Sequence, residues 1–457
     1  MEITEEFNRY MAQLSERLGH ADRQAGLSGY CTGLMLPLPR KSIEPMAASV
    51  DPLHVSARHQ SLHHFVAKSE WSDTALMAGV RDWVEPVLGL DSGCYWIVDD
   101  TGFPKKGKHS VGVARQYCGQ LGKQDNCQVA VSLSLASVQG SIPIAYRLYL
   151  PKNWADDKVR RRAGGVPDDI VFATKPDIAL EQMRQAIAAG VSMGVVLADA
   201  GYGDETAFRD GITQLGMYYA VGIRPGTTVW APGTAALPPK AWSGHGIRPT
   251  KLRREPGNAP ISVKALAMAL PAQVWRTISW REGTNNELSS RFAGVRVHPA
   301  HRDYLGTEMR PEEWLLIEWP EGDAEPLKYF LTTAPSEATL EQMVFVTKVR
   351  WRIERDYQDL KQDFGLGHYE GRGWRGFHHH ATLSIAAYGF LMAQRLKTGS
   401  NAGGKKNFAK RQVPTVPKDY VPRGRPARAA SRGGLDHDAA TASECQTHKR
   451  HGTLPAL

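Results

Sequence analysis

Three acidic residues have neighbours that suit chemistry on a phosphate. Asp99 follows the apolar run CYWIV in CYWIVDDTGFPKKGK, and Asp199 follows VVLA in GVVLADAGYG. A carboxylate at a strand end is held rigidly yet stays open to a ligand, and Gly201 and Gly203 let the chain turn tightly beside the second one. Asp100 could fill the first place as well as Asp99. The third acid, Glu354, lies in RWRIERDYQDLK. At a helical period Arg350, Glu354, Tyr357 and Lys361 share one face, and Val346, Val349, Ile353, Leu360 and Phe364 form an apolar face opposite. An acid flanked on its own face by two cations suits a site in which carboxylates hold a metal while cations grip phosphate oxygens.

The residue types fit that chemistry. Mg²⁺ and Mn²⁺ are hard ions that prefer carboxylate oxygens and need few protein ligands, which leaves room for water and phosphate. Two such ions about 4 Å apart can activate a water or a 3′-hydroxyl on one side of phosphorus and stabilise the leaving oxygen on the other. Each acid also has a plainer reading. Asp99 and Asp100 could form a solvated turn, Asp199 could cap the next helix, and Arg350 with Glu354 could be an ordinary i,i+4 ion pair. Two strand ends and one helix together are harder to explain in that way.

The elements that must position these acids follow from periodicity. CYWIVDD, NCQVAVSLSLAS and SIPIAYRLYLP read as three strands of an antiparallel meander. The helix DIALEQMRQAIAAG, the strand GVVLADAGYG, the helix DETAFRDGITQLG and the strand MYYAVGI come next, so residues 91–225 have the order βββαβαβ of a mixed α/β fold. Residues 226–334 are rich in proline, glycine and short strand-like pieces (VWRTISW, RFAGVRV, EWLLIEW, KYFLTT) and read as a β-rich insertion. Residues 335–397 return to helix, first as one continuous element through SEATLEQMVFVTKVRWRIERDYQDLKQDFGL and then as HHHATLSIAAYGFLMAQRL. Residues 1–90 read as a helical domain broken by LMLPLPRKSIEP. Its cluster of Arg58, His59, His63, His64 and Lys68 is either a DNA-end contact or a solvated face.

Composition sets limits on the rest. No run of about 18 apolar residues occurs, and the acidic start MEITEEFNRY lacks the features of a signal peptide, so a cytoplasmic protein without membrane segments is expected. The five cysteines are scattered, with no CxxC, and read as reduced thiols. The net charge is +9, but the stretch from Ser400 to Leu457 holds eleven Lys/Arg against four Asp/Glu, which leaves only +2 elsewhere. A basic, disordered tail over 398–457 is therefore expected, and charge alone argues only modestly for a nucleic-acid partner. His378, His379 and His380 point three ways on a helix and cannot share one zinc ion, so packing or helix-start roles are expected.

At the three acidic segments the chain resembles the insertion-sequence transposases of the DDE superfamily, in the cut-and-paste branch whose ribonuclease H-like core is interrupted by a β-rich insertion. The resemblance covers roughly residues 55–395. RWRIERDYQDLK looks like that branch's helix Y-x2-R-x3-E-x6-K, which puts Arg, Glu and Lys on Arg350, Glu354 and Lys361, while Thr347 stands where the tyrosine belongs. DDTG matches the first motif D-[DE]-T-G and selects Asp99 over Asp100, and Asp199 to Gly203 match D-x-G-[YF]-G. The resemblance implies a DNA transposase with Asp99, Asp199 and Glu354 as metal-binding catalytic acids and Arg350 and Lys361 on DNA phosphates. It also implies Mg²⁺ or Mn²⁺, two ions, and a homodimer on paired terminal inverted repeats and target DNA. Lys105 and Lys106 would either contact phosphate or sit in a solvated turn. Trp230, Trp242, Trp275 and Trp280 would for the most part be core, with stacking on a flipped base as the other reading.

Three rivals remain. A haloacid-dehalogenase-like phosphohydrolase would want DxD, whereas Asp99 and Asp100 are adjacent, and it leaves Glu354 without a role. A DNA-binding relative without catalysis or mobility would not need all three acids. A site-specific nuclease of the same fold differs only in failing to join strands.

Overall fold

The computed structural model describes residues 3–282 and 287–401. Five helices come first: α1 (Ile3–Ser15), α2 (Gln24–Met35), α3 (Ile43–Val50), α4 (Val55–Ala67) and α5 (Asp73–Val84). The core then begins with β1 (Tyr95–Pro104), β2 (Ala114–Cys118), β3 (Lys123–Ala136) and β4 (Ser141–Leu148). Short helices α6 (Lys152–Ala155) and α7 (Lys158–Gly164) lead to α8 (Lys175–Ala188), β5 (Val195–Ala198), α9 (Ala200–Gly203), α10 (Thr206–Gln214) and β6 (Tyr219–Ile223). Beyond it lie β7 (Thr228–Trp230), β8 (Ile261–Ser262), α11 (Val263–Ala269), β9 (Arg276–Glu282), β10 (Glu287–Pro299), β11 (Glu313–Trp319) and β12 (Lys328–Thr332). The last elements are α12 (Leu340–Val349), α13 (Arg352–Gln362) and α14 (Trp374–Asn401).

The sheet runs β4-β3-β1-β5-β6 through its core, with β1, β3 and β4 antiparallel and β1, β5 and β6 parallel. This is the ribonuclease H-like mixed sheet that the order βββαβαβ requires. β2 is an addition that the sequence reading passed over; ARQYC is a five-residue polar strand that pairs with the first residues of β3. The β-rich insertion extends the same sheet, because β12 pairs antiparallel with β6 and hands on to β11 and β10.

Helices cover both faces, so β3 is buried from Cys127 to Ala136. On one face lies α8, opened by a Thr174/Asp177 capping box and followed by Gly190 at φ +75°. On the other face lie α13 and α14. The 28-residue α14 also carries the N-terminal helices, since Phe390 meets Phe7 and Tyr10, and the Tyr10 hydroxyl donates to the Ala386 carbonyl at 3.0 Å. One apolar cluster therefore runs without a break from Tyr10 and Leu27 through Trp96 and Leu133 to Leu315 and Phe390. The helix continues to Asn401, four residues into the stretch expected to be tail, and the remainder of that tail lies outside the described residues. Among the described residues no helix is long and apolar enough to cross a membrane.

Candidate active site

Asp99 stands within a ten-residue strand and not at its end, because β3 pairs with β1 all the way to Pro104. The parallel neighbour stops sooner. The pairing of β1 with β5 ends at Ile97 and Leu197, and two residues further along the two strands stand Asp99 and Asp199. Both acids thus occupy the carboxyl end of the parallel pair, the edge where open α/β sheets place their ligands. Alternation along β1 turns Asp99 and Asp100 to opposite faces. The Asp99 face is the one under α13, where its register partner Ser132 shares a hydrogen bond with the Tyr357 hydroxyl. Asp100 accepts a hydrogen bond from Lys175 Nζ at the start of α8, at 2.8 Å.

The Asp99 carboxyl is 15% exposed. Its Oδ1 accepts from the Asp100 amide at 2.8 Å and its Oδ2 from Arg350 Nη2 at 3.1 Å. Burial pushes its pKa up to about 7; the Arg350 guanidinium opposes the shift, and the charges of Asp199 and Asp100 add to it. Asp199 caps the short helix α9, accepting from the Gly201 amide at 2.9 Å. Gly203 is needed for close approach: a Cβ there would lie 2.1 Å from the Gly222 carbonyl oxygen on β6.

The expected continuous helix is two helices. Between Val349 and Arg352 the backbone stays right-handed, but the amides of Ile353 and Glu354 bond three residues back, to the carbonyls of Arg350 and Trp351 at 3.1 and 3.2 Å. This tightened 3₁₀ step aims Arg350 at the sheet. Its guanidinium lies between two acids, 3.1 Å from Asp99 Oδ2 and 3.6 Å from Glu354 Oε1. The Glu354 side chain is 72% exposed. The structure therefore brings Asp99 and Asp199 together and ties Glu354 to Asp99 through a cation. Among the described residues no three His, Cys, Asp or Glu side chains converge as a ready metal cage. Further along, Lys361 Nζ donates to the Gly102 carbonyl at 3.2 Å and lies over the Phe103 ring; burial lowers its pKa while Cys118 and Asp99 oppose the shift.

Sequence reading missed Asp356. Its carboxyl is buried against α14 and β4, accepts from Ser141 Oγ at 2.6 Å and from the Tyr388 hydroxyl at 2.8 Å, and is pushed up to about 7 by burial against those two bonds. The available signal was spacing: Asp356 stands three residues after Ile353 and four before Leu360, so it falls on the buried face of α13.

The three histidines reach three different elements. His378 takes the Leu148 amide, His379 faces the Val66 and Trp71 carbonyls, and His380 meets the Tyr30 hydroxyl and the Gly365 carbonyl. Burial lowers the pKa of all three, to about 4 for His379 and His380, against the opposing pull of their backbone carbonyl bonds, and each ring is fixed in the packing by its own partners. Lys105 donates to the Tyr369 carbonyl at 3.0 Å, whereas Lys106 is exposed. Trp230 is buried and donates to Asp303, Trp275 packs on Trp319, and Trp280 packs on Phe292; Trp242 is half exposed. Of the cysteines, Cys31, Cys94, Cys118 and Cys127 are free thiols, and Cys445 lies outside the described residues.

A family model described as a DDE superfamily endonuclease matches residues 13–287, more than half of the chain and including Asp99 and Asp199. The probable transposase for insertion sequence element IS701 of Microchaete diplosiphon is 32% identical over 195 residues. That match covers 42% of this chain and 47% of the relative, so the similarity spans about half of the relative's length.

Proposed function

Because the chain belongs to the DDE superfamily of endonucleases, we propose that it is an insertion-sequence transposase that hydrolyses phosphodiester bonds at the ends of its element and joins the freed 3′ ends to target DNA. One observation carries the reading: two carboxylates at the carboxyl ends of adjacent parallel strands, with a third acid held to the first by Arg350. The donors are all hard oxygens, which suits Mg²⁺ or Mn²⁺. A buried Asp99 carboxyl that holds its proton to about 7 beside Asp199 is a seat that a cation would relieve. Asp99, Asp199 and Glu354 would hold the metal, one ion or two, and it would supply an activated nucleophile and neutralise charge at phosphorus.

The side chains around that seat have their own work. Arg350 already sits on two carboxylates, so it is placed to exchange them for a DNA phosphate, which leaves Asp99 and Glu354 facing a common space without a cation between them. Lys361, held against β1 on the same face of the sheet, adds a second phosphate contact. The partners on this reading are double-stranded DNA, as terminal inverted repeats and target, and a second copy of the chain across the paired ends. The helices of 1–90 would read the ends, and the place of work would be the cytoplasm.

The test is Mg²⁺-dependent cleavage of a plasmid carrying the gene with its native flanks, comparing the wild-type protein with Glu354→Gln. Cuts at the element's boundaries that vanish in the variant support the reading. A folded wild-type protein that binds DNA but never cuts it would favour a binding relative without catalysis, and cutting without joining would favour a nuclease.

A further inference from the structure

One cavity lies away from the acids. It has a volume of about 800 Å³ and is walled by α4, the start of α3, α7 and the glycine-rich segment 365–376. Five Lys/Arg line it against two acids, Glu44 and Glu370. Two of the cations are committed elsewhere: Lys41 donates to the Leu34 and Leu36 carbonyls, and Arg375 pairs with Glu70. Glu370 is taken by Arg40, which leaves Glu44 as the one lining acid without a cation among the described residues. Lys68, Arg162 and Arg372 are exposed and have no carboxylate partner among the described residues. They come from three separate segments and face one space. Three such cations against the single unpaired Glu44 leave the space with a net positive charge that suits an anion. The first turn of α14, at Trp374 to Gly376, opens on the same space and adds the positive end of a long helix.

The cavity is linked to the acids by β1. Arg350 meets Asp99, Lys361 meets Gly102, and Lys105 meets Tyr369 on the cavity wall. The step of six residues from Asp99 to Lys105 spans about 20 Å at about 3.3 Å per residue. At 3.4 Å per base pair along each strand, that is about six base pairs of DNA.

We propose that this cavity binds the phosphodiester backbone of one strand of the DNA substrate, about six base pairs from the scissile phosphate, through Lys68, Arg162 and Arg372. The proposal rests on the reading of the chain as a DNA-cutting enzyme and adds a place and a register to it. Each phosphate neutralised contributes about 0.9 to the slope of log K against log salt. Replacing all three cations with glutamine should therefore lower the slope for a duplex from the element's end by about 2.7. The control Arg9→Gln/Arg184→Gln/Lys264→Gln removes the same charge from exposed, ion-paired positions and should leave the slope nearly unchanged.

Binding is measured by fluorescence anisotropy on the full chain without divalent metal, so a failure of catalysis does not affect it. Phosphate ethylation interference on the same duplex should show a cluster centred about six base pairs from the cut for the wild-type protein and none there for the triple variant. Equal slope losses in the two triple variants would overturn the proposal. So would interference confined to phosphates beside the cut. A wild-type protein that binds no DNA would instead overturn the functional reading itself.

Discussion

Asp356 offers a test of how α13 is held. Its carboxyl is only 3% exposed, and Ser141 and Tyr388 donate to it, yet burial keeps it protonated to about 7 against an ordinary value of 3.8. The folded state therefore binds a proton that the unfolded chain has released. A raised folded pKa gives stability that is complete below about 4 and is lost as pH rises through about 7. A shift of roughly 3 units corresponds to about 4 kcal/mol, of which about 2.5 kcal/mol falls between pH 5 and pH 8. Asp356→Asn keeps the shape and cannot ionise. In urea unfolding the wild-type protein should lose about 2.5 kcal/mol relative to the variant between those two pH values. Asp99, also near 7, is present in both proteins and cancels in the difference. Stability profiles that stay parallel from pH 5 to pH 8 would show that Asp356 is ionised in the folded state, and the reasoning from burial would be wrong.

Further outcomes follow from particular contacts. Because Asp99 must give up a proton held to about 7, Mn²⁺ should bind about tenfold more weakly at pH 6 than at pH 8, read as a smaller rise in melting temperature, and Asp99→Asn should remove most of the rise. Glu354→Gln should abolish cleavage while leaving the melting temperature nearly unchanged, since the side chain is 72% exposed. Gly203→Ala should destabilise by about 1–3 kcal/mol in urea unfolding and impair cleavage, because the new methyl meets the Gly222 carbonyl beneath Asp199. Phe390→Ala should cost about 3–5 kcal/mol in one cooperative transition, because its ring joins α1 to α14 in the common core; a separate early transition for the N-terminal helices would contradict that common core.

The parts of this protein that were legible in its sequence are those with local causes. The strands that lead to Asp99 and Asp199, the helix that ends at its glycine before β5 and the helix around Glu354 all follow from short-range pattern. The break between α12 and α13 does not. Arg350 and Trp351 keep helical dihedrals, and Arg350 points at an Asp 251 residues away in sequence, so only the assembled sheet reveals why the chain tightens there. Likewise β1 runs past Asp99 because a distant length of β3 is available to pair with it, and no local residue signals where that pairing ends. The cavity was invisible for the same reason, since Lys68, Arg162 and Arg372 lie in segments far apart along the chain.

The way α13 is held suggests how a site made from distant pieces can stay ordered before substrate arrives. On the sheet side Tyr357 bonds Ser132, the register partner of Asp99, and Lys361 bonds Gly102 of the same strand. On the far side Asp356 is fixed by Ser141 of β4 and by Tyr388 of α14. A helix bonded on both sides cannot slide along β1, so the height of Glu354 relative to Asp99 is set by the body of the protein. Just before it lies the 3₁₀ step, where Arg350 meets two acids with one guanidinium. Side-chain rotation of Arg350 toward a phosphate changes the charge between Asp99 and Glu354 without moving either backbone, so substrate and metal affinities should be coupled through this one residue.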